Sequence, residues 1–134
     1  MEENGENPED TDNNKNNKLS EEQKEKILAD ITNIMENTLE FCDCEFSLTR
    51  LATMIGSNTK YVSQLINAAY HKNFRTYINE YRIKEASLRL MDTANYVKYT
   101  IKAIAESVGY KSHTNFILIF KKITGINPST YQYI

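Results

Sequence analysis

The sequence predicts an all-α fold with two helix-turn-helix subdomains joined by a long connecting helix, together with an extra N-terminal helix. First, apolar residues recur at helical spacing, and from residue 47 onward the chain has no sustained alternation and no Asn-Gly or Asp-Gly hairpin sequence. Second, the breaks are short, and the segments between them have the length of helices. Third, one pair of helical segments near the middle of the chain recurs near its C-terminal end. The breaks fall at Gly56, residues 71–73, residues 92–99, Gly109 and residues 125–128.

The chain has 134 residues, of which 40% are hydrophobic, so it can bury one ordinary core but cannot hold a second large domain. No apolar run approaches the roughly 20 residues that a membrane-spanning helix needs. The N-terminus lacks the basic start and apolar stretch of a signal peptide. These features predict a cytoplasmic protein.

Charge divides the chain into three segments. Residues 1–18 hold six acidic and two basic residues (net −4), residues 19–46 hold eight and two (net −6), and residues 47–134 hold four and twelve (net +8). A cationic module behind an acidic leader is typical of proteins that bind phosphates, although a solvated surface could carry the same charge by chance. We therefore predict an acidic leader (1–18), an N-terminal helix with a linker (19–46) and a double helix-turn-helix domain (47–134).

Residues 1–18 are rich in Asn, Glu and Asp and have no aromatic residue, which predicts disorder because they cannot bury enough surface to offset the entropy of ordering. Ser20 and Gln23 have the spacing of a capping box, so a helix should begin there. We expect this helix to cover residues 20–39 and to pack one apolar face on the rest of the chain. The apolar positions are Ile27, Leu28, Ile31, Ile34, Met35 and Leu39.

Cys42 and Cys44 are the only cysteines, and a disulfide between residues two apart would be strained, so we expect reduced thiols. An enzyme that transfers an alkyl group to one of these thiols is disfavoured, because acidic neighbours oppose the thiolate. We expect no metal site, because further ligands are lacking nearby and the two histidines lie in different segments. We expect no catalytic residues and no cofactor, because no general base, phosphate-binding loop or metal-ligand set lies at a useful spacing.

The internal repeat predicts the two helix-turn-helix units. Each copy has a helix with a small alanine where its partner must approach, a glycine suited to a turn at positive φ, and a second amphipathic helix. The second copy has one extra residue in its turn. Two generic helical hairpins would be the simpler explanation, but two copies in register on a cationic segment favour DNA binding. The paired positions are Leu48, Leu51, Ala52, Ile55 and Gly56 with Ile101, Ile104, Ala105, Val108 and Gly109, then Val62, Leu65 and Ile66 with Phe116, Ile119 and Phe120.

In such a unit the second helix enters the major groove, and exposed residues near its N-terminus reach base edges. Asn58 is suited to cap the first recognition helix. Gln64 could pair with adenine and Lys60 with guanine. The residues predicted to face outward are Thr59, Lys60, Ser63, Gln64 and Asn67.

In the second recognition helix, Ser112 is the expected cap. Ile117 and Leu118 are unusual at outward positions, and they could contact thymine methyl groups or pack against the connecting helix. The residues predicted to face outward are His113, Thr114, Ile117, Leu118 and Lys121.

Residues 74–91 predict a connecting helix about 27 Å long, at ~1.5 Å per residue. Major-groove faces on one side of a duplex lie ~34 Å apart, so a rigid connector of this size suits two recognition helices on one DNA face. Its basic residues could contact phosphates or pair with Glu80 and Glu85. For Arg82, which lies among apolar neighbours, we favour a structural role; the other basic residues are Arg75, Lys84 and Arg89.

One set of positions spans both units and the connector: Leu51, Ala52, Gly56, Tyr61, Val62, Ser63, Phe74, Tyr77, Ile78, Arg82, Ile83, Ala86, Leu90, Met91, Ile101, Ile104, Ala105, Gly109, Tyr110, Ser112, Phe116, Phe120, Lys121, Lys122, Gly125, Pro128 and Tyr131. Together these residues resemble the DNA-binding domain of AraC/XylS-type transcription regulators of bacteria. The resemblance implies a seven-helix, two-lobed domain that binds direct-repeat promoter sites. It also implies contact with RNA polymerase, as expected of an activator.

The resemblance also implies which residues contact bases, with two departures from the family pattern. Asn73 stands where the family usually has glycine, and asparagine also accepts positive φ. Leu118 stands where an arginine or another polar residue is frequent, which weakens the case for direct base contacts by the second unit. The implied base-contacting residues are Lys60, Ser63, Gln64, Thr114, Asn115 and Leu118.

Most members of this family carry a sensing or oligomerising domain ahead of the module, and residues 1–46 are too short to form one. The chain is therefore either a short stand-alone regulator or the output end of a longer receptor, with no small-molecule site of its own. The first helix resembles the extra helix that precedes this module in regulators fused to membrane sensors. We therefore favour an output fragment, which would meet a membrane only through such a sensor.

Two functions are compatible with these features. The leading hypothesis is a sequence-specific transcription regulator, a monomeric module that places two recognition helices in successive major grooves of promoter DNA. The alternative is a protein-interaction module of a signalling protein, in which Ile117, Leu118 and the acidic first helix dock a partner. DNA binding should weaken steeply as salt rises, whereas apolar docking should survive high salt.

Overall fold

The computed structural model describes residues 18–132, and within them the chain is all-α, as predicted. Seven helices lie between residues 47 and 132, the number that the family resemblance implies. The leader that we predicted to be disordered, residues 1–18, lies outside the described residues apart from Lys18. The elements are α1 (Glu21–Asn37), a 3₁₀ turn (Glu40–Cys42), α2 (Leu48–Met54), α3 (Thr59–Tyr70), α4 (Phe74–Met91), α5 (Thr93–Tyr96), α6 (Ile101–Ser107), α7 (His113–Thr124) and α8 (Pro128–Tyr131).

α1 begins at the predicted capping box. The Ser20 Oγ accepts a hydrogen bond from the Gln23 backbone N–H at 3.1 Å, and the Gln23 Oε1 accepts one from the Ser20 N–H at 2.8 Å. The helix ends at Asn37, two residues earlier than predicted, because Thr38 is extended (φ −135°, ψ 167°). Leu39 therefore lies outside the helix and is 52% exposed.

The helices pack around two apolar cores that share α4. α1, α2, α3 and the first half of α4 form the first core, to which α4 contributes Tyr77 and Ile78. The second half of α4 packs with α6 and α7 in the second core, through Ile83, Ala86 and Leu90. α4 is thus a continuous 18-residue connection between two lobes. None of the helices in residues 18–132 has the length and apolar character needed to traverse a bilayer.

The turns within both helix-turn-helix units use a glycine at positive φ, as predicted: Gly56 has φ +71° and Gly109 has φ +107°. The expectation for Asn73 is wrong. Asn73 has φ −80° and caps α4, where its side chain accepts a hydrogen bond from the Thr76 N–H at 2.8 Å. The left-handed residue in this turn is His71, with φ 57°.

The break predicted at residues 92–99 contains one short helix, α5. Asp92 caps it by accepting a hydrogen bond from the Asn95 N–H at 3.2 Å. The ring of Tyr96, the last residue of α5, packs edge to face against the ring of Tyr99, with centroids 4.8 Å apart. An aspartate that caps a short helix explains why a segment without helical periodicity still forms one turn.

Candidate nucleic-acid interface

The two helix-turn-helix units are duplicated at the level of individual caps. α7 begins one position later relative to α3 than α6 does relative to α2. The turn of the second unit is therefore one residue longer than that of the first, as predicted. Asn58 caps α3 by accepting a hydrogen bond from the Tyr61 N–H at 2.9 Å. Ser112 caps α7 in the same way, through the Asn115 N–H at 3.0 Å. Both predicted caps are confirmed.

The recognition helix of the first unit, α3, has one buried face and one exposed face. Val62, Leu65 and Ile66 are buried on the inner side. The predicted outward residues lie on the other side, as expected for a helix that packs only through its apolar stripe. Ser63 is half-buried, and the exposed residues are Asn58, Thr59, Lys60, Gln64 and Asn67.

The recognition helix of the second unit, α7, follows the same plan with one correction. Ile117 was expected to face outward, but it is half-buried and packs against the second core. Of the two possibilities for this residue, packing is the one that its contact with the second core favours. Leu118 is 65% exposed. His113 is half-buried, and the other exposed residues are Ser112, Thr114, Asn115 and Lys121.

Two of the four cations of α4 have structural partners. The Arg82 guanidinium donates to the carbonyl oxygens of Phe41 at 2.6 Å and Asp43 at 3.0 Å, and burial lowers the pKa of this side chain. Arg89 pairs with Glu85 at 2.8 Å and donates to the Ser107 carbonyl at 3.1 Å. The structural role predicted for Arg82 is therefore confirmed.

The remaining α4 cations, Arg75 and Lys84, are exposed. Arg75 lines a groove of about 520 Å³ between the two lobes, and this groove also reaches Lys111 and the Ser112 cap of α7. Glu80, a predicted partner of these cations, pairs instead with Lys72, in the turn before α4. Arg75 and Lys84 thus remain candidates for phosphate contacts.

A second groove, of about 420 Å³, lies beside α3 and was not predicted. Lys18 and Lys24 line it together with Lys60 and Gln64. The sequence contains part of the signal, because Lys24 precedes Ile27, Leu28 and Ile31 by three, four and seven positions and so shares their face of α1. What the sequence could not provide was which helix that face contacts.

The two cysteines lie between α1 and α2, where Cys42 packs against both cores and Cys44 lines the groove between the lobes. Cys42 is half-buried and Cys44 is exposed, and both are free thiols. Burial raises the pKa of Cys42 to about 11, so this thiol is protonated at neutral pH. A protonated thiol is a poor nucleophile, which weighs against alkyl transfer at Cys42.

Comparisons with known proteins agree with this architecture. A model of a helix-turn-helix domain matches residues 51–133. The chain is 30% identical over 132 residues to the uncharacterized HTH-type transcriptional regulator YtdP of Bacillus subtilis; the match covers 92% of this chain and 17% of that protein. The chain thus spans about one-sixth of the length of that relative.

Solved structures share the fold. The C-terminal domain of the two-component response regulator yesN from Fusobacterium nucleatum superposes with a TM-score of 0.64 at 29% identity, covering 76% of this chain and 93% of that domain. An AraC-type transcriptional regulator from Chromobacterium violaceum superposes with a TM-score of 0.68 at 19% identity, covering 81% of this chain and 91% of that one. With the duplicated units and the matched domain model, these similarities show that the chain belongs to the AraC/XylS family of helix-turn-helix transcription regulators.

Proposed function

We propose that the chain binds promoter DNA sequence-specifically as a monomeric module, with α3 and α7 in successive major grooves. The observation that carries this proposal is the duplication itself: two capped helices, each with a buried apolar stripe and an exposed side near the N-terminus. The net charge of +8 on residues 47–134 adds the attraction to phosphates that such binding requires.

The proposed roles follow the chemistry of the exposed side chains. On α3, Lys60 would donate to guanine and Gln64 would make a bidentate contact with adenine, with Ser63 beside them. On α7, Asn115 can also read adenine, and the exposed Leu118 can contact a thymine methyl group. Thr114 would also contact a base edge. The flanking residues would contact backbone phosphates or sugars: Asn58, Thr59, Asn67, Ser112, His113 and Lys121.

The length of α4 supports simultaneous binding by both helices. Its 18 residues span about 27 Å, and the remaining distance to the ~34 Å repeat of the duplex can come from the offset of each recognition helix from the axis of α4. DNA bending would reduce the required distance further. RNA polymerase is the protein partner that we propose for the DNA-bound module, which would then act as an activator.

Selection of bound sequences from a library of random duplexes tests the proposal. We expect two short conserved blocks whose centres lie about one helical turn, or ~10.5 base pairs, apart. Lys60→Ala with Gln64→Ala should relax one block, and Asn115→Ala the other, each lost base contact weakening binding by about 1 to 3 kcal/mol. Lys26→Ala is the control, because Lys26 lies on α1 and pairs with Asp30.

The outcome distinguishes DNA binding through one recognition helix from binding through both. A single conserved block, or no effect of any of the three substitutions in α3 and α7, would contradict the proposed arrangement. The exposure of Leu118 favours the alternative of a protein-interaction surface on α7. Association that survives high salt and requires Leu118, without any selected DNA sequence, would favour that alternative.

A further inference from the structure

The start of α1 lies beside the proposed base-contacting surface of α3. Lys18 and Lys24 border the 420 Å³ groove, and Lys60 and Gln64 border it from the α3 side. Three lysine residues therefore border one open groove, although residues 19–46 are acidic as a whole. Like charges gathered at an open surface repel one another unless an anion neutralises them.

The two lysines within α1 lie on different faces of the helix. Lys24 shares the face of Ile27 and Leu28, which pack against the first core. Lys26 lies two positions further along, on a different face, where it pairs with Asp30 at 3.0 Å and its side chain is 77% exposed. The cation of α1 that faces α3 is therefore Lys24, not Lys26.

We propose that the start of α1 extends the DNA-binding surface, with Lys18 and Lys24 contacting backbone phosphates beside the major groove that α3 enters. This inference rests on the proposed function. A helix in a major groove ~12 Å wide has a phosphate backbone on either side, so cations adjoining its exposed face reach phosphates before bases. Lysine suits this role because its charge sits on a long flexible stem.

The pairing of Lys24 with Glu21 does not prevent such a contact. The two groups are 3.3 Å apart, but their side chains are 42% and 85% exposed. Water and salt screen an ion pair of this kind, so a phosphate with its high local charge density can replace the carboxylate.

Salt dependence of DNA binding provides the test. Affinity for a fluorescein-labelled duplex of about 30 base pairs, three helical turns, would be measured by anisotropy over a series of salt concentrations. Lys18→Ala and Lys24→Ala should each lower the slope of log affinity against log salt by about 0.9, and the double variant by about twice that. Lys26→Ala removes the same charge from a different face and should leave the slope unchanged. Lys24→Arg should retain the wild-type slope.

The results distinguish this inference from the proposed function. Equal slopes for Lys24→Ala, Lys26→Ala and the wild type would overturn the role of α1, while two selected sequence blocks would still support binding by α3 and α7. A wild-type chain that binds no duplex DNA would overturn both. Thermal unfolding of each variant checks that a change in slope does not come from loss of the fold. The Lys24→Arg variant provides a second check, because it keeps the charge and should retain the wild-type slope.

Discussion

Gly109 and Arg82 meet at the junction of the two lobes, and their contact explains why this position is a glycine. A Cβ atom on Gly109 would lie 2.8 Å from the Arg82 Nε and 3.1 Å from the Cys42 carbonyl oxygen. The arginine cannot easily move away, because two backbone carbonyl groups hold its guanidinium. Gly56, the corresponding residue of the first unit, has φ +71° but no atom within 4 Å of such a Cβ. Backbone conformation alone constrains Gly56, whereas Gly109 is also constrained by its neighbours.

Gly109→Ala should therefore cost more stability than Gly56→Ala. Placing alanine at positive φ costs about 1 to 2 kcal/mol at either position. The contact with Arg82 should raise the loss at Gly109 to roughly 3 kcal/mol, in the range expected for local overpacking. The free energy of unfolding in urea measures both losses. Equal losses for the two variants would show that the Arg82 side chain can move away from the new methyl group without lowering the free energy of unfolding.

At the scale of the elements, the duplication extends beyond the two helix-turn-helix units. His71 ends α3 and Gly125 ends α7, both in the left-handed region and at equivalent positions of the repeat. Asn73 and Asn127 follow at the same offset, as the N-caps of α4 and α8. α8 is thus the counterpart of the first turn of α4. In one lobe the third helix continues as the connector, and in the other it ends after a single turn.

This correspondence predicts opposite effects for two glycine substitutions in one turn. His71→Gly should raise the free energy of unfolding by about 0.5 to 1 kcal/mol, because glycine adopts φ 57° without the steric cost that histidine has. Asn73→Gly should lower it by a few tenths of a kcal/mol, since the side-chain cap of α4 is lost. Thermal and urea denaturation of both variants are the measurements. If Asn73→Gly instead stabilised the protein, the prediction would be wrong, and position 73 would be the left-handed residue, as the family pattern suggests.

Helices with strong periodicity could be predicted from the sequence, and elements that depend on local hydrogen bonds could not. The bounds of α4 agree with the prediction at residues 74–91, because its apolar positions recur over five turns between clear breaks. α5 was missed because a capping aspartate, not periodicity, forms it. For the candidate site, the exposed face of α3 was predicted correctly except for Ser63, which is half-buried. Lys24 was missed because its proximity to Gln64 depends on how α1 and α3 pack, and these helices lie far apart in the sequence.

At the scale of the whole molecule, the segment of residues 40–46 contacts both lobes and the connecting helix α4. Arg50 of α2 binds Glu40 at 2.9 Å and Asp43 at 2.8 Å. Lys111, in the turn before α7, pairs with Glu45 at 3.0 Å. Cys42 packs against both cores. Because the surface ion pairs contribute little individually, the partly buried hydrogen bond from Arg82 to the Phe41 carbonyl oxygen is the contact that should couple the lobes most strongly.

Replacing Arg82 should therefore loosen one lobe relative to the other while both cores stay intact. Arg82→Met keeps most of the volume of the side chain but leaves the partly buried Phe41 carbonyl oxygen without its donor, a loss of about 1 to 3 kcal/mol, while water can replace the donor at the exposed Asp43 carbonyl oxygen. Native-state hydrogen exchange would follow the amides of Ile66 in the first core and Phe120 in the second. In the wild type we expect both to exchange with the free energy of global unfolding, whereas in Arg82→Met the two values should separate. Lys84→Met is the control, since Lys84 is exposed on the same helix, and an equal loss at both amides in Arg82→Met would mean that the lobes remain one cooperative unit.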